Sequence, residues 1–472
     1  MKKNNTKIFV SGNFNVLHPG HLNLLKFAKS LGDKLVVGVV SKKIANVDGL
    51  NSDLSRVETL KSINFIDEVL IVKSSLEKIL LKLKPNIIVK GKEHEIEDNI
   101  EQDIIKKIDA KIIFNSGRPN LSYDNSYLRN DTSNIKLQKK FLKDHKISTK
   151  NLINIVNDFS KLKVLVIGDL ILDEYITCLP IGMSHEDPTI VLNPTGSKKF
   201  IGGAGIVAAH SANLGAQVNL ISVVGKDSNR SFSKKKLDEY KVNQVLISDS
   251  VRPTILKQRF ITKNKTHLKV SFLNQSSINL NIQKRILTNF RKLKNKIDLL
   301  VFADFNYGCL PQPLVDQIIE ESKKENIFIA ADSQSSSQVG NIARFKSLDL
   351  ITPTEREARI ALQNNDDGLI IIADKLKNIC LANNIILTLG GSGILMYDNA
   401  TDRDRLPTFN QNPLDVAGSG DSLYITAAMT LALKGNIWSA GYLGSLAASV
   451  QSERIGNIPI NSKDLKDKIQ KL

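Results

Sequence analysis

The sequence contains few cysteines and few aromatic residues. Three of its 472 residues are cysteine, Cys178, Cys309 and Cys380, and no two of them form a Cys-x-x-Cys pair. This odd, widely spaced set argues against a disulfide framework and against a zinc site. Aromatic residues make up 6% of the chain, which is too few for rows of base-stacking side chains on single-stranded nucleic acid.

Long apolar runs are also missing. No apolar stretch reaches the roughly eighteen residues of a membrane-spanning helix, so we expect no membrane association. The first apolar segment stops at Ser11-Gly12, which does not fit a signal peptide, and the expected location is the cytoplasm. A hydrophobic content of 42% in a chain of this length predicts two domains of unequal size, each with its own core.

The net charge of +17 would suit a polyanionic partner such as nucleic acid. The basic residues are spread along the whole chain, however, so we interpret them as a solvated surface and expect no nucleic-acid partner. One local group is spaced three and four residues apart and predicts an exposed face on a helical linker over 131–160. Its members are Lys136, Lys139, Lys140, Lys143, Lys146 and Lys150.

Two histidines near the N-terminus are the first candidates for a chemical role. A short β run over 7–11 is followed by His18-Pro-Gly-His21, a helical pattern over 22–31 and an apolar run over 35–40. This order predicts a βαβ unit. Both rings then lie at a helix N-terminus, where they can bind the phosphates of a nucleotide. A metal site is the competing interpretation, although no third ligand recurs nearby.

A glycine-rich turn near the C-terminus predicts an anion-binding site. The segment Asp415-Val-Ala-Gly-Ser-Gly-Asp421 runs into an Ala/Leu-rich helical pattern that Gly435 closes. Free N–H groups and the dipole at a helix N-terminus favour a phosphate. Asp421, on the first turn, could take a proton from a hydroxyl group that attacks phosphorus. The alternative is a plain strand-to-helix connection with a capping aspartate.

A second βαβ pattern begins at 163 and places Asp173 just beyond an apolar run, where an open α/β sheet binds ligands. Asp173 could hold sugar hydroxyl groups, or it could be a turn or capping acid. The pattern Gly203-x-Gly205-x-x-Ala208 imitates a dinucleotide fingerprint. Residues 196–201 ahead of it are too polar and short for the strand that such a fingerprint follows. We therefore expect these glycines to allow close approach of the backbone to a polar substrate.

Two further stretches, 187–193 and 254–272, alternate apolar and polar residues as exposed strands do. They suit a small sheet that lies over the site as a lid. From 298 onwards, strand and helix patterns alternate again. The predicted class is therefore α/β, with a largely parallel sheet and helices on both faces.

The N-terminal motifs resemble those of the cytidylyltransferase-like nucleotidyltransferases, whose HxGH signature matches His18 to His21. The resemblance implies a Rossmann-like nucleotidyltransferase domain over 1–130, in which both histidines stabilise the phosphates of ATP during attack by a sugar 1-phosphate. CTP stays open as the donor. The further nucleotide-binding residues that it implies are Gly12, Phe14 and Lys90.

The N-terminal half matches this family at one further position and departs from it at two. Arg56 lies where this family often has a basic residue. Asn15 replaces the aspartate of the family's Gly-x-Phe-Asp, and Ser122–Ser126 is only a partial counterpart of its Ser-Thr-Thr motif. An alternative reading is therefore a sugar kinase whose nucleotidyltransferase-like domain is inactive or regulatory.

The order of motifs over 163–465 resembles the ribokinase-like (PfkB) carbohydrate kinases. Within that superfamily it is most similar to the kinase half of the bifunctional ADP-heptose synthases, which pair such a kinase with an HxGH adenylyltransferase. Here the order of the two halves is reversed. The resemblance implies a kinase domain over 161–472 with a doubly wound sheet and a small β lid. It also implies phosphorylation of a sugar phosphate, heptose 7-phosphate at O1, and production of an ADP-sugar.

The same resemblance implies a role for individual residues. Asp421 would be the catalytic base, and Glu357 would contact Mg²⁺ through water. The backbone of the turn would form the anion hole, at Ala417, Gly418, Ser419 and Gly420. The sugar would be bound by Asp173, Gly202 and Gly203. The adenine nucleotide would lie against Thr388, Gly390 and Gly393.

Three positions depart from the kinase pattern. Ile206 stands where the family has a sugar-binding Asn, Tyr307 where the synthases have Lys, and Thr354 where the family has Asn ahead of Glu357. The implied cofactor is Mg²⁺, and the implied partners are ATP and a small sugar phosphate. The oligomeric state stays open, a homo-oligomer included.

Overall fold

The computed structural model describes residues 6–15, 17, 19–45, 50–91, 101–114, 131–263, 265–335, 340–398 and 402–471. His18 and Ser122–Ser126 lie outside the described residues. The chain divides into two compact units. Unit 1 comprises Met1–Leu128 with Asn364–Asp374, and unit 2 comprises Arg129–Gln363 with Lys375–Leu472.

Unit 1 is built on a parallel sheet. Its strands are β1 (Lys7–Gly12), β2 (Lys34–Val40), β3 (Glu68–Val72), β4 (Ile87–Lys90) and β5 (Lys111–Phe114). Its helices are α1 (Pro19–Ser30), α2 (Lys42–Ala45), α3 (Asp53–Lys61), α4 (Leu76–Leu83) and α5 (Glu101–Ile108). In the described part of the unit, the sheet is five-stranded with the order β3-β2-β1-β4-β5.

Both faces of this sheet are covered, which is why its strands are apolar on both sides. Ile8 and Val10 of β1 pack in one core cluster with Leu25 of α1. Phe9, on the other face, packs with Leu80 of α4. Because β1 pairs with β2 on one side and β4 on the other, the strand order reverses at β1. Open α/β sheets bind ligands at the carboxyl ends of strands at such a point.

Two helices connect the motifs of the two halves: α6 (Asp131–Asp144) and α7 (Thr149–Asp158). Their apolar sides join the core of unit 2 through Phe141, Leu152 and Val156. His145, after α6, stacks on Trp438 with ring centroids 4.2 Å apart. The six lysines that predict an exposed helical face are all exposed.

The main sheet of unit 2 is nine-stranded over the described residues, with the order β10-β9-β6-β13-β14-β15-β16-β17-β18. The strands are β6 (Lys163–Gly168), β9 (Gln217–Val224), β10 (Asn243–Ser248), β13 (Leu299–Asp304), β14 (Phe328–Ser333), β15 (Leu350–Ile351), β16 (Asn384–Thr388), β17 (Ile394–Tyr397) and β18 (Arg403–Leu406). Pairing is parallel from β10 to β16 and antiparallel for the last two strands.

The remaining helices are α8 (Ala204–Asn213), α9 (Ser228–Glu239), α10 (Leu280–Leu293), α11 (Gln312–Lys324), α12 (Glu355–Leu362), α13 (Leu369–Cys380), α14 (Ser419–Ala432), α15 (Ile437–Ser452) and α16 (Ser462–Gln470). Helices α14 and α15 are buried over most of their length and join the largest core cluster. Within the described ranges, none of the helices combines the length and apolar character needed to cross a bilayer.

A second, smaller sheet forms the lid. Its strands are β7 (Leu170–Met183), β8 (Ile190–Gly203), β11 (Ile255–Thr262) and β12 (Lys265–Phe272), in the order β12-β11-β7-β8. The predicted α/β class with a β lid is confirmed. The polar residues 196–201 lie in the second half of lid strand β8, which pairs antiparallel with β7 and is not the buried parallel strand that a dinucleotide fingerprint follows. Much of β8 is exposed, so it does not need an apolar sequence.

Candidate active site

A cavity of about 310 Å³ lies in unit 2. Strands β14 to β16 contribute residues at or just beyond their carboxyl ends, and the lid contributes residues of β7 and β11. The predicted site residues that the cavity brings together are Asp173, Gly203, Glu357, Thr388, Ala417, Gly418, Gly420 and Asp421. The lining residues that were not predicted as site residues are Ile171, Lys257, Arg259, Phe305, Asp332, Gln334, Thr352, Thr354, Val416 and Asn457.

The glycine-rich turn ends at the N-cap of α14. Gly418 occupies the cap position with φ of 74°, in the left-handed region that favours glycine. The Ala417 N–H donates to the Asp415 carboxylate at 3.0 Å, and the Ser419 N–H donates to the Val416 carbonyl at 3.2 Å. These two amides therefore stabilise the turn itself. Gly418 and Gly420 line the cavity, so their amides are the candidates for binding an anion.

Asp421 lies on the first turn of α14 and is 7% exposed. Gln334, just after β14, donates from Nε2 to Oδ1 of Asp421 at 3.0 Å. Burial, with a smaller contribution from the negative charge of Asp173, raises the pKa of Asp421 to about 7. A carboxylate with a pKa near neutrality can accept a proton and release it again, as a general base must.

Asp173 projects from the lid strand β7 and is 6% exposed. Its carboxylate accepts from Arg259 of β11 at 3.3 Å and from Asn457 at 3.0 Å. Burial raises the pKa of Asp173 above its ordinary value. Gly202 lies directly against it, because a Cβ at that position would be 2.5 Å from Oδ2 of Asp173. The glycine at 202 therefore makes room for the aspartate, whereas Gly203 lines the cavity.

Asp415 joins the lid to the glycine-rich turn. Besides the Ala417 N–H, its carboxylate accepts from the Tyr175 hydroxyl group at 2.8 Å and from the Gly456 N–H at 2.9 Å. Arg259 in turn donates to the Tyr175 oxygen at 2.6 Å. Lid strands β7 and β11 are thus connected by hydrogen bonds to the turn that precedes Asp421.

Two basic side chains of β11, Lys257 and Arg259, face the cavity. The Lys257 amine lies 5.0 Å from the ring centre of Tyr307 and 5.6 Å from that of Phe305. Tyr307 itself is fully buried. Position 307 is where the resembling synthases carry a lysine. In this chain, Lys257 of β11 therefore places a positive charge beside the Tyr307 ring, close to the position at which the synthases carry their lysine.

Acidic residues form a third side of the cavity. Thr354 and Glu357 form a capping box at the start of α12, so the threonine at 354 retains an N-cap function. Both oxygens of Glu357 accept backbone N–H groups, from Ser335 at 2.7 Å and Thr354 at 2.8 Å. Burial beside Glu357 raises the pKa of Asp332 well above its ordinary value. Asp332 and Glu357 are thus two buried carboxylates in one wall of the cavity.

The donor set fits Mg²⁺ held through water rather than directly. Among the described side chains, no group of three or more His, Cys, Asp or Glu residues is arranged to hold a metal ion. Mg²⁺ characteristically retains several waters and uses one or two carboxylates together with substrate phosphates. Asp332 and Glu357 meet that requirement.

The predicted nucleotide-side residues lie at the end of β16 and in the turn that follows. Thr388 lines the cavity. Gly390 has φ of 58°, and no atom of the described residues lies within 4 Å of a Cβ built on it. Gly393 has φ of 91°, and a Cβ there would be 2.0 Å from the Leu406 carbonyl. Glycine at 393 is therefore required by the approach of β18, whatever its role toward a ligand.

In unit 1, Gly12 and Lys90 end the neighbouring parallel strands β1 and β4. Phe14 is buried with φ of 44°, and its ring packs edge-on to His21 of α1 at 5.3 Å. The described predicted residues of this half thus gather at the point where the strand order reverses. His18, the other predicted histidine, lies outside the described residues.

Arg56 of α3 is 1% exposed and binds protein atoms. Nη1 donates to the carbonyl groups of Asn13 at 2.6 Å and Val40 at 2.9 Å, beyond β1 and at the end of β2. Asn15 Oδ1 accepts the Asn51 N–H at 2.7 Å. An amide oxygen accepts such a bond as a carboxylate oxygen would, so Asn at position 15 is compatible with this contact. Arg56 and Asn15 together fasten the loop that leads to the histidines.

The residues that the motifs missed differ in the signal they leave in the sequence. Lys257 and Arg259 are two apart on a predicted lid strand, so their shared face could have been inferred. Asp332 and Gln334 lie at the carboxyl end of β14, where an open α/β sheet is expected to place ligand-binding side chains. Asn457 follows a long helix in an irregular segment, and no local pattern marks it.

Comparison with known proteins agrees with this geometry. Residues 161–463 match the pfkB family carbohydrate kinase model, and residues 9–149 match the Cytidylyltransferase-like model. Similar curated proteins are named Bifunctional protein HldE. That of Aliarcobacter butzleri is 29% identical over 63% of this chain and 62% of its own length. That of a Nitratiruptor species is 27% identical over 63% of this chain and 62% of its own length. The chain thus spans 62% of the length of these two relatives.

Solved structures with the same fold include phosphofructokinase-2 from Escherichia coli, with a TM-score of 0.56 and 16% identity. The match covers 66% of this chain and 99% of that one. Arabidopsis thaliana ribokinase has a TM-score of 0.52 at 14% identity, with coverage of 66% and 99%. These likenesses establish the ribokinase-like fold. With the family model matched over more than half of its length, the chain belongs to the pfkB family of carbohydrate kinases, and a cytidylyltransferase-like segment precedes the kinase, in the order that the sequence predicts.

Proposed function

We propose that this chain is a bifunctional enzyme of sugar-nucleotide synthesis. Unit 2 transfers the γ-phosphoryl group of ATP to a sugar phosphate, heptose 7-phosphate at O1. Unit 1 transfers a nucleotidyl group, AMP from ATP, to a sugar 1-phosphate. The observation that carries the kinase half is the cavity in which Asp421, the N-terminus of α14 and the lid residue Asp173 meet. The resemblance of the kinase motifs to those of the ADP-heptose synthases favours heptose as the sugar.

In the kinase reaction, Asp173 orients the acceptor through its hydroxyl groups. The Asp421 carboxylate takes the proton of the attacking hydroxyl group as its oxygen forms a bond to the γ-phosphorus. The bond from the γ-phosphorus to the β,γ-bridging oxygen breaks, and ADP leaves with that oxygen. The N–H groups of Gly418 and Gly420, at the positive end of the α14 dipole, stabilise the charge on the transferred group.

Lys257 supports the same step by placing a positive charge near the transferred phosphoryl group, in the place of the lysine that Tyr307 replaces. Mg²⁺, when bound through water by Asp332 and Glu357, would neutralise charge on the ATP phosphates. Thr388 would lie beside the nucleotide, at the end of the cavity formed by β16.

In unit 1, an oxygen of the sugar 1-phosphate would attack the α-phosphorus of ATP. The bond between the α-phosphorus and the α,β-bridging oxygen would break, and pyrophosphate would leave with that oxygen. His21, at the start of α1, and Lys90, at the end of β4, are positioned to stabilise the phosphates. In this half, Arg56 holds the Asn13 carbonyl group, and the side chain of Asn15 accepts the Asn51 N–H.

The test is a substrate panel with separate detection of ADP and pyrophosphate. Full-length protein with ATP, Mg²⁺ and heptose 7-phosphate should release ADP and form a bisphosphate. With ATP and heptose 1-phosphate, it should release pyrophosphate. Asp421→Asn should lower the ADP release rate by at least ~10²-fold, since it removes the base with little change in volume. If no sugar or sugar phosphate in the panel causes ADP release, the kinase proposal is contradicted.

A second function keeps the kinase and makes unit 1 a nucleotide-binding regulatory module. The replacement of the family aspartate by Asn15 is the observation that favours it. Under this alternative, the wild-type chain phosphorylates its sugar but releases no pyrophosphate with any sugar 1-phosphate or nucleoside triphosphate. Since both reactions use small metabolites, we propose the cytoplasm as their location and small molecules as the partners.

A further inference from the structure

The acceptor end of the unit 2 cavity contains an asparagine that no motif assigns. Asn457 lies in the segment between α15 and α16. Its side chain lines the cavity, although only 5% of the residue is exposed. Asn457 Nδ2 donates to Oδ2 of Asp173 at 3.0 Å, across a sequence separation of 284 residues.

The orientation of this amide follows from its partner. An ionised carboxylate only accepts hydrogen bonds, so Asn457 must present its NH₂ group to Asp173 and its oxygen to the other side. That oxygen is buried, and no donor among the described residues reaches it. It faces the N-cap of α14, because a Cβ built on Gly418 would lie 2.5 Å from it. Asn457 therefore connects the sugar-side carboxylate to the anion-binding turn.

We propose that Asn457 is a positioning and specificity-determining residue for the sugar acceptor, acting as one unit with Asp173. Asn457 holds the Asp173 carboxylate in the orientation that receives a substrate hydroxyl group. This inference rests on the proposed kinase reaction. It also accounts for Ile206, which stands where the family has a sugar-binding Asn but is fully buried in α8 and is not among the residues lining the cavity.

The packing around the pair leaves little freedom. Asp173 is held from one side by Arg259 at 3.3 Å and from the other by Asn457. A Cβ at position 202 would approach Asp173 Oδ2 to 2.5 Å and Asn457 Nδ2 to 3.2 Å. The glycines at 202 and 418 thus leave just enough room for the pair, and any other side chain would displace it.

Burial raises the pKa of Asp173, and the groups around it modify that shift. The charged groups that act on this carboxylate are Arg259 and Lys257, which favour the ionised form, and Asp415, which opposes it. Asp421 lies close enough for its own pKa to be raised by Asp173. The hydrogen bond from Asn457 favours the ionised form. Without that bond, the pKa of Asp173 rises further, and substrate binding should need a higher pH.

The test is steady-state kinetics of the full-length chain with ATP and heptose 7-phosphate. Asn457→Ala should raise KM for heptose 7-phosphate by about tenfold or more, since it removes a hydrogen bond to a buried charge. KM for ATP should stay within about twofold, because Asn457 lies at the sugar end. The acid limb of kcat/KM for the acceptor should move to higher pH.

Asn457→Asp separates positioning from packing. It has nearly the volume of asparagine but places a second carboxylate against Asp173, so it should impair acceptor use more than Asn457→Ala. A purely structural residue would show the opposite order, and that order would overturn the inference. If Asn457→Ala does not fold, Asn457→Asp and its pH profile decide the question.

The matched control is Asn410→Ala. Asn410 is also partly buried in unit 2 and donates to the Ser452 hydroxyl group at 2.7 Å, away from the cavity. It should leave both KM values unchanged. An active wild-type kinase whose Asn457 variants keep the acceptor KM would overturn this inference alone. A wild-type chain that phosphorylates no acceptor would overturn the kinase proposal and this inference with it.

Discussion

Burial makes ionised Asp421 costly in the folded state. Its folded pKa of about 7 lies above the ordinary value of 3.8. Between these values the folded state binds a proton that the unfolded chain has released. The free energy of unfolding therefore falls as pH rises from about 4 to about 7, and the loss persists at higher pH. A general base needs a pKa near the working pH, and burial gives Asp421 such a pKa at a cost in stability when the carboxylate is ionised.

Asp421→Asn should consequently stabilise unit 2 most at pH 8 and clearly less at pH 5, because only part of the loss between about pH 4 and about pH 7 has accrued at pH 5. We expect a gain on the order of 2–4 kcal/mol in the free energy of unfolding at pH 8. Scanning calorimetry of metal-free protein at both pH values measures it. Asp467→Asn, an exposed position on α16, is the control. Equal stability of the Asp421→Asn variant and wild type at pH 8 would contradict the raised pKa.

Single residues also show where sequence reasoning succeeds and where it stops. Asp421 and its turn were predictable because a helix N-terminus is a local structure, formed by residues adjacent in the chain. Asn457 was not, since its role depends on a contact with Asp173 from the far end of the domain. The role of Gly202 toward the sugar stays a prediction, and in the structure Gly202 lies against Asp173. A sequence shows that a glycine needs space, but not what fills it.

At the scale of elements, lid strand β11 covers the cavity and also contributes charged side chains to it. Its residues Lys257 and Arg259 point into the cavity, and their charges oppose those of Asp173 and Asp421. The period of a strand predicts that residues two apart share a face, which the sequence does reveal. Which face meets the cavity depends on the pairing of β11 with β7, a long-range contact that no local pattern specifies.

Lys257→Ala should lower kcat of the proposed kinase by about tenfold to a hundredfold, because a positive charge near the transferred phosphoryl group is lost. Lys269→Ala is the matched control, since Lys269 lies on the adjacent strand β12, opposite Arg259, and is exposed. Steady-state ADP release measures both. Equal rates for the two variants would remove Lys257 from the proposed mechanism. No residue would then be assigned the role of the lysine that Tyr307 replaces.

Helix α3 of unit 1 offers a second test at this scale. Arg56 donates to carbonyl groups beyond β1 and at the end of β2, and also to Asp53 at 2.6 Å. Arg56→Lys keeps the charge but not the forked geometry, so buried carbonyl groups lose their donors. We expect a local loss of roughly 2 kcal/mol in the free energy of opening.

Hydrogen exchange measures this loss directly. Amides of β1, β2 and α3 should exchange faster in Arg56→Lys, while those of β13 and β14 in unit 2 should be unaffected. Arg291→Lys, at an exposed arginine paired with Glu321 on the surface of unit 2, is the control. Unchanged exchange in unit 1 would mean that Arg56 does not fasten the loop. A direct contact between Arg56 and a substrate phosphate would then be the alternative role.

At the scale of the whole molecule, the arrangement of two folds with separate candidate sites predicts separable reactions. The kinase residues all belong to unit 2, and the described nucleotidyltransferase residues all belong to unit 1. A diffusing sugar phosphate is enough to link two such reactions, so the order of the halves along the chain need not matter. Reversal of that order relative to the synthases is therefore compatible with the same chemistry.

This separation can be tested by removing one reaction at a time from the full-length chain. Asp421→Asn should stop ADP release from heptose 7-phosphate yet keep pyrophosphate release from heptose 1-phosphate near the wild-type rate. His21→Ala should do the reverse, because it removes the proposed phosphate-binding ring from α1 and changes nothing in unit 2. If His21→Ala also slows the kinase, unit 1 acts on unit 2. If the wild type itself releases no pyrophosphate, the regulatory alternative holds, and a nucleotide bound to unit 1 should then change the kinase rate.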